Sequence, residues 1–232
     1  MPMLLDTTIA SRFVLNFRCD PEAVQSRLRR PWVFDPDPDG PFAGANFSVI
    51  FNEALLNLDA NTKPAADASS RDVGFAIPVK NPETGEEAGL NLRIFTAHPA
   101  AVPGKYKTSL PAQVHHEQIS RGEGLDTTIL EHLQLQDAND GNLETRFEYT
   151  RGIPKRSGSE ANVRSAADPS ILRIYATDQL VDLVKSVPAG IDRVKAFFFR
   201  STIPEMRDLF DGKEELVAIA VSPWYLRRVF GR

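Results

Sequence analysis

The chain has 232 residues, of which 42% are apolar and 25% charged, close to the average of water-soluble globular proteins. No run of about 18 uncharged apolar residues exists, which excludes a membrane-spanning helix, and the stretch before Phe13 reads as carrying no signal peptide. The formal charge of −4 argues against a nucleic-acid binder, which needs a basic stripe to displace counterions, and the single cysteine, Cys19, excludes an internal disulfide and a thiolate metal cage. These features lead to the expectation of one cytoplasmic domain spanning residues 1–232.

Most of the chain reads as strands. Arg12–Phe17 is short, apolar and rich in strand formers. Asp20 is suited to cap a helix and Pro21 to open one, and Val24 and Leu28 are four apart. A short amphipathic helix is therefore expected over Glu22–Arg29, ending before Pro31. Asp35–Pro41 alternates Asp, Pro and Gly and reads as a loop. Further strands are predicted over Phe47–Leu58, Val73–Lys80, Leu90–Ala97, Thr127–Gln136 and Leu143–Thr150. Tight turns at Pro82–Gly85 and Asp137–Gly141 join two pairs of them. Arg151–Ser170 lacks apolar periodicity and reads as one long loop. Gln179–Val187, Lys195–Ser201 and Leu216–Ser222 complete a set of about ten strands, the count of a large antiparallel barrel or sandwich. Pro223–Arg232, with Trp224, Tyr225, Leu226, Val229 and Phe230 beside Arg227 and Arg228, reads as an amphipathic closing helix.

The motifs of serine hydrolases, P-loop NTPases, Rossmann dehydrogenases and H-E-x-x-H metalloproteases are all absent. His115 and His116 are adjacent, so in a strand they point to opposite faces; one imidazole outside is the expected arrangement, and no metal site is expected. Arg18 ends the first strand. It is either a surface arginine beside the helix start or a guanidinium aimed at a substrate carboxylate. Asp72 opens the strand Val73–Val79 and is either solvated or a general acid/base at a barrel mouth. Lys105 and Lys107 share a face if their segment is extended. They form either a solvated basic turn or a pair that depresses one amine's pKa. The fourteen phenylalanines either fill an ordinary core or line a ligand cavity.

Taken in order, Phe17-Arg18-Cys19-Asp20, Asp72-Val73-Gly74-Phe75-Ala76-Ile77-Pro78-Val79 and Pro99-Ala100-Ala101-Val102-Pro103-Gly104-Lys105 resemble the acetoacetate decarboxylase family over about Phe13 to Val221. The resemblance implies a mainly β (α+β) fold: a cone-shaped antiparallel β-barrel with a few short helices around an interior pocket, in a homo-oligomer. It also implies a keto-acid chemistry that uses no cofactor and a lysine that forms an iminium. At the two positions where the family carries adjacent lysines this chain has Ala112 and Gln113, and neither can form an imine. The family's second glutamate aligns with Ser48. The expected function is therefore acid/base chemistry on a carbonyl or carboxylate ligand, with Asp72 and Arg18 as catalytic residues. Ser48, Tyr106, Ala112 and Gln113 are expected at the substrate, and neither nucleic acid nor membrane is an expected partner. A barrel that only binds its ligand, or a decarboxylase using Lys105 or Lys107 as a relocated amine, are the alternatives.

Overall fold

The computed structural model describes residues 2–65, 68–102 and 104–231, so Pro103 of the Pro99–Lys105 segment and Arg232 of the closing segment lie outside the described residues. Thirteen strands are present among them. They are β1 (Met3–Arg18), β2 (Val33–Phe34), β3 (Phe47–Asp59), β4 (Ser70–Lys80), β5 (Glu87–Thr96), β6 (Ser109–Arg121), β7 (Thr128–Asp137), β8 (Asn142–Thr150), β9 (Lys155–Ser165), β10 (Leu172–Ser186), β11 (Ile191–Asp192), β12 (Val194–Ser201) and β13 (Glu215–Gly231). Helix α1 (Pro21–Ser26) starts as its sequence requires. Asp20 accepts a hydrogen bond from the Glu22 amide at 3.3 Å, and Pro21 occupies the first turn, where no N–H is needed. It ends three residues before the expected Arg29. No helix among the described residues is long and apolar enough to cross a membrane.

Seven strands pair in a closed circuit, β5–β9–β10–β13–β1–β3–β4 and back to β5. Every ladder in it is antiparallel except the short β5–β9 seam, where Gly89–Asn91 runs parallel to Val163–Ser165. The same edge of β5 carries β6 further along, again in parallel, through Ile94–Thr96 and Ser109–Pro111. There the structure forks: β6, β7, β8 and β12 leave as a second antiparallel sheet. The sheet is thus mixed rather than wholly antiparallel.

Alternation of side chains along each strand sorts the residues onto two faces. On β1, β3, β4 and β5 one face carries Phe13, Phe17, Phe47, Phe51, Phe75 and Phe95, all buried, and meets the second sheet. Phe13 packs edge-on against Phe147 at 6.3 Å between centroids, and Phe17 lies 4.7 Å from Phe199. The phenylalanines therefore form the core between the two layers. The opposite face of the same strands lines the inside of the seven-stranded ring.

Two segments differ from the sequence expectations. Residues 151–170 are not one long loop, because β9 forms within them and pairs with β10 over ten successive positions. Its outer face is exposed and polar and its inner face small, so no apolar rhythm marks it. Pro223 to Gly231 is strand rather than helix. It is held between β1 and β10, and those two ladders supply hydrogen bonds that an isolated helix would have to make internally. Pro223, which has no N–H to donate, lies where both ladders skip a position.

Candidate functional site

The inside of the ring is a cavity of about 240 Å³ to which all seven strands contribute side chains. Strand register builds its polar end. Arg12 on β1 stands opposite Asn52 on β3, and Asn52 stands opposite Asp72 on β4. One row across three strands thus sets a guanidinium, a carboxamide and a carboxyl side by side on the lumen face. Asn52 Nδ2 donates to Asp72 Oδ1 at 2.8 Å. Strand β13 adds Tyr225 and Arg227, and β10 adds Tyr175.

The two arginines are arranged alike. The Arg12 guanidinium carbon lies 4.8 Å from the centroid of the Tyr225 ring, and that of Arg227 lies 4.8 Å from the Tyr175 ring. Stacking of this kind contributes on the order of 1 kcal/mol each and leaves the outer N–H groups free to donate. Arg227 spends one of them on Thr8 Oγ1 at 3.3 Å, whereas the Arg12 side chain makes no hydrogen bond among the described residues. The Nε atoms of both are buried without a partner. Neither arginine forms an ion pair with a described carboxylate, whereas Arg18, Arg71, Arg93, Arg164 and Arg193 all do. Two partly buried guanidiniums with no described carboxylate in direct contact leave N–H donors open in this lumen, and a charged group held away from water is costly unless its donors are used.

Burial pushes the Asp72 carboxyl above its ordinary range, and the Asn52 hydrogen bond and the charges of Arg227 and Arg12 restrain the rise. For Arg227 burial acts to lower the pKa, but Tyr175, Tyr225, Asp6 and Asp72 more than offset it, so the guanidinium stays charged. Behind Tyr175 lies Tyr106, fully buried with its ring centroid 6.3 Å away and its hydroxyl pushed up by burial.

The residues expected at the site from sequence divide into three groups. Asp72 is in the lumen. Tyr106 backs it without lining it. The others are not brought to it. Arg18 lies at the end of β1, exposed, 3.0 Å from Glu215 Oε2. Ser48 shares a face with Ile50 and Asn52 but donates to Asn16 Oδ1 at 2.8 Å. Ala112 packs into the inter-sheet core, and Gln113 is exposed beside a surface hollow. Lys105 and Lys107 have left-handed backbones, φ +48° and +60°, so their segment is not extended. Both are exposed, and Lys107 is 2.9 Å from Asp168. No lysine is among the described residues that line the lumen.

Sequence reading missed Arg12, Asn52, Tyr175, Tyr225 and Arg227. A trace of them was present, since Arg12 heads a strand that is apolar but for Asn16, and Arg227 interrupts an apolar segment. An arginine inside a strand that is paired on both sides has few places to put its charge.

A larger cavity of about 790 Å³ lies between the ring and the second sheet, next to Glu53, His116, Gln118 and Tyr149. Most of its charged residues are already engaged: Asp182 pairs with Arg193, and the exposed Arg151 alone has no ion pair among the described residues that line it. His116 bridges Glu53 at 2.9 Å and Glu131 at 2.7 Å, and Arg71 holds Glu53 at 2.5 Å. His115 points outward, as the alternation predicts. Among the described residues no three His, Cys, Asp or Glu side chains are placed to hold a metal ion. The lumen, with its unpaired cations, is the better candidate site.

No protein-family model and no curated protein matches the sequence. Solved structures do match in shape. An acetoacetate decarboxylase-like enzyme from Sphingomonas wittichii RW1 superposes with a TM-score of 0.61 at 9% identity, covering 98% of this chain and 91% of that one. The enduracididine biosynthesis enzyme MppR, complexed with the condensation product of pyruvate and imidazole 4-carboxaldehyde, gives 0.58 at 11% identity, covering 100% and 89%. Acetoacetate decarboxylase from Legionella pneumophila gives 0.57 at 12%, covering 98% and 86%. The chain has the fold of acetoacetate decarboxylase and its structural relatives, as the ordered motifs led one to expect.

Proposed function

We propose that this protein is an enzyme that binds a small keto acid inside the ring and moves a proton at the carbon beside the carbonyl. The observation that carries this reading is the pair of unpaired guanidiniums, Arg12 and Arg227, set around Asp72 in one lumen. A cavity of about 240 Å³ is the liquid share of about eight waters, which sets the ligand's size. Asp6 and Asp72 both bear on Arg227, whereas Arg12 has no described carboxylate within ion-pair distance and keeps its N–H groups open for an anionic ligand. MppR, of the same fold at 10% identity, has been seen with pyruvate, which supports a keto acid as the ligand class.

In the proposed step the ligand's carboxylate takes the open N–H groups of Arg12, and its carbonyl oxygen faces Arg227. Asp72 removes the proton from the carbon between carboxyl-bearing and tail portions that adjoins the carbonyl. The C–H electron pair moves into the new C=C bond, and the carbonyl pair settles on oxygen as an enolate. Arg227 gains strength toward that oxygen as the charge grows, which is the differential binding that accelerates a reaction. The proton returns from Asp72 to the same carbon or to another. Loss of a neighbouring hydroxyl as water or ring closure can follow from the same enolate. This route uses no imine, in keeping with Ala112 and Gln113.

The test is exchange of the C3 protons of 2-oxobutanoate in deuterated water, followed by proton NMR. Enzyme-dependent exchange is expected. Binding without exchange would assign the protein as a ligand-binding barrel instead. Within the same assay Arg12→Leu is expected to weaken binding tenfold or more. Arg18→Ala should change it less than twofold and alter stability by no more than about 1 kcal/mol, because an exposed ion pair contributes little. Equal effects of the two substitutions would contradict the assignment of Arg12.

A further inference from the structure

The lumen has two unlike walls. One carries the arginines, tyrosines and Asp72. The other, on β4, β5 and β9, carries Gly74, Ala76, Gly89 and Ala161, with Ile50 and Ile94 beside them. Glycine within a strand weakens it, by roughly 0.5–1 kcal/mol relative to alanine, and needs a reason. A left-handed backbone would be one, but neither Gly74 nor Gly89 has a positive φ. Crowding by the protein would be another. A Cβ built on Gly74 would come no closer than 3.9 Å to Ile50, and one on Gly89 no closer than 4.0 Å to the Asn162 carbonyl. These are ordinary contacts. Nothing in the chain itself requires glycine at either position, and both face the cavity that holds the unpaired cations.

The volume points the same way. Packed at interior density, a four-carbon keto acid takes about 120 Å³ and phenylpyruvate about 200 Å³. The lumen offers about 240 Å³. A minimal keto acid would leave half of it unfilled.

We infer that the ligand is a keto acid with a sizeable apolar tail, flat or branched, and that the tail lies on the bare backbone of Gly74 and Gly89, making Gly74 a specificity-determining residue. The inference rests on the keto-acid reading above. The charged wall takes the carboxylate and carbonyl, and the glycine wall measures the tail. Valine at position 74 would project three carbons into the space the tail needs while leaving Arg12, Arg227 and Asp72 untouched.

Titration of wild type and Gly74→Val with phenylpyruvate and with 2-oxobutanoate, by calorimetry, tests this. Wild type is expected to bind phenylpyruvate at least tenfold more tightly than 2-oxobutanoate. Gly74→Val should weaken phenylpyruvate tenfold or more and change 2-oxobutanoate less than twofold. Gly74→Ala, a smaller intrusion, gives the same order with a smaller loss and serves if the valine variant does not fold. Equal binding of both acids by wild type, or equal changes for both in the variants, overturns the inference and leaves the keto-acid reading standing. Binding of neither acid by wild type overturns that reading, and this inference with it.

Discussion

Asp72→Asn is expected to lower enzyme-dependent C3 exchange of 2-oxobutanoate by about 10²- to 10⁴-fold, the usual contribution of a positioned general base. Affinity for the keto acid should hold or improve, since the substitution removes the one negative charge nearest the ligand. The amide oxygen of the new side chain can still accept from Asn52 Nδ2, so the local geometry has a reason to persist. The pH dependence distinguishes this base from a structural role. Exchange by wild type should rise with pH through the Asp72 titration, at a pH above the ordinary aspartate value of 3.8 because burial raises it. The variant should lose that limb. A stability effect of opposite sign accompanies it. A carboxyl whose folded pKa lies above its unfolded one costs stability as pH rises from the unfolded value through the folded one. Above that window Asp72→Asn should therefore melt at a higher temperature than wild type, the usual mark of a residue held for function. An unchanged exchange rate in this variant would remove Asp72 from the mechanism.

His116→Ala is expected to cost about 3–5 kcal/mol of folding stability, read from denaturant unfolding, because it leaves a buried carboxylate without its partner. Glu131 is 0% exposed and takes Gln118 Nε2 at 2.8 Å in addition to His116, with the Tyr149 hydroxyl more distant at 3.4 Å. Glu53 on the ring and Glu131 on the second sheet meet through this one imidazole, so it ties the two layers together. A neutral imidazole donates one hydrogen bond; satisfying both carboxylates requires the protonated ring. Burial acts to lower the His116 pKa, but the hydrogen bonds and charges of Glu131 and Glu53 overcome it and raise it above 6.5. The stabilisation is thus complete below the unfolded value of about 6.5 and is lost as pH rises through the folded one. Glu53 runs the other way. Its own burial opposes the effect, but His116 and Arg71 hold it below 4.5, so its contribution is present above that value and fails as pH falls through the lowered one. Wild type should be most stable between these two limbs, and His116→Ala should flatten the alkaline one. A flat profile in wild type would show that the imidazole is not charged in the bridge.

The strand ladder was legible wherever one face was apolar and the other not, as in β7 and β8, where alternation is nearly complete. It failed at β9, whose lumen face is small and whose outer face is polar. It failed also at the end of β13, where apolar residues on both faces imitate a helical stripe. The site was legible at Asp72, which lies two residues before a glycine in a quotable motif. It was misread at Arg18. Both Arg12 and Arg18 lie on β1, an even number of residues apart, so alternation alone cannot separate them. What separates them is depth along the barrel, and that depends on which residues of β3 and β13 they stand beside.

Alternating apolar residues, two capping residues and a handful of turns determine most of the strands locally, because each acts over a few neighbours in the chain. The lumen charges are decided elsewhere. The ladder irregularities at Ala10–Arg12 and around Pro223, and the three-residue seam between β5 and β9, set which side chains face one another across a ring closed from distant parts of the chain. Pairing partners of that kind are non-local, and a shift of one position would turn each inward residue out. That is why the presence of a barrel could be read from the residues in order, and the identity of the two arginines inside it only from the folded molecule.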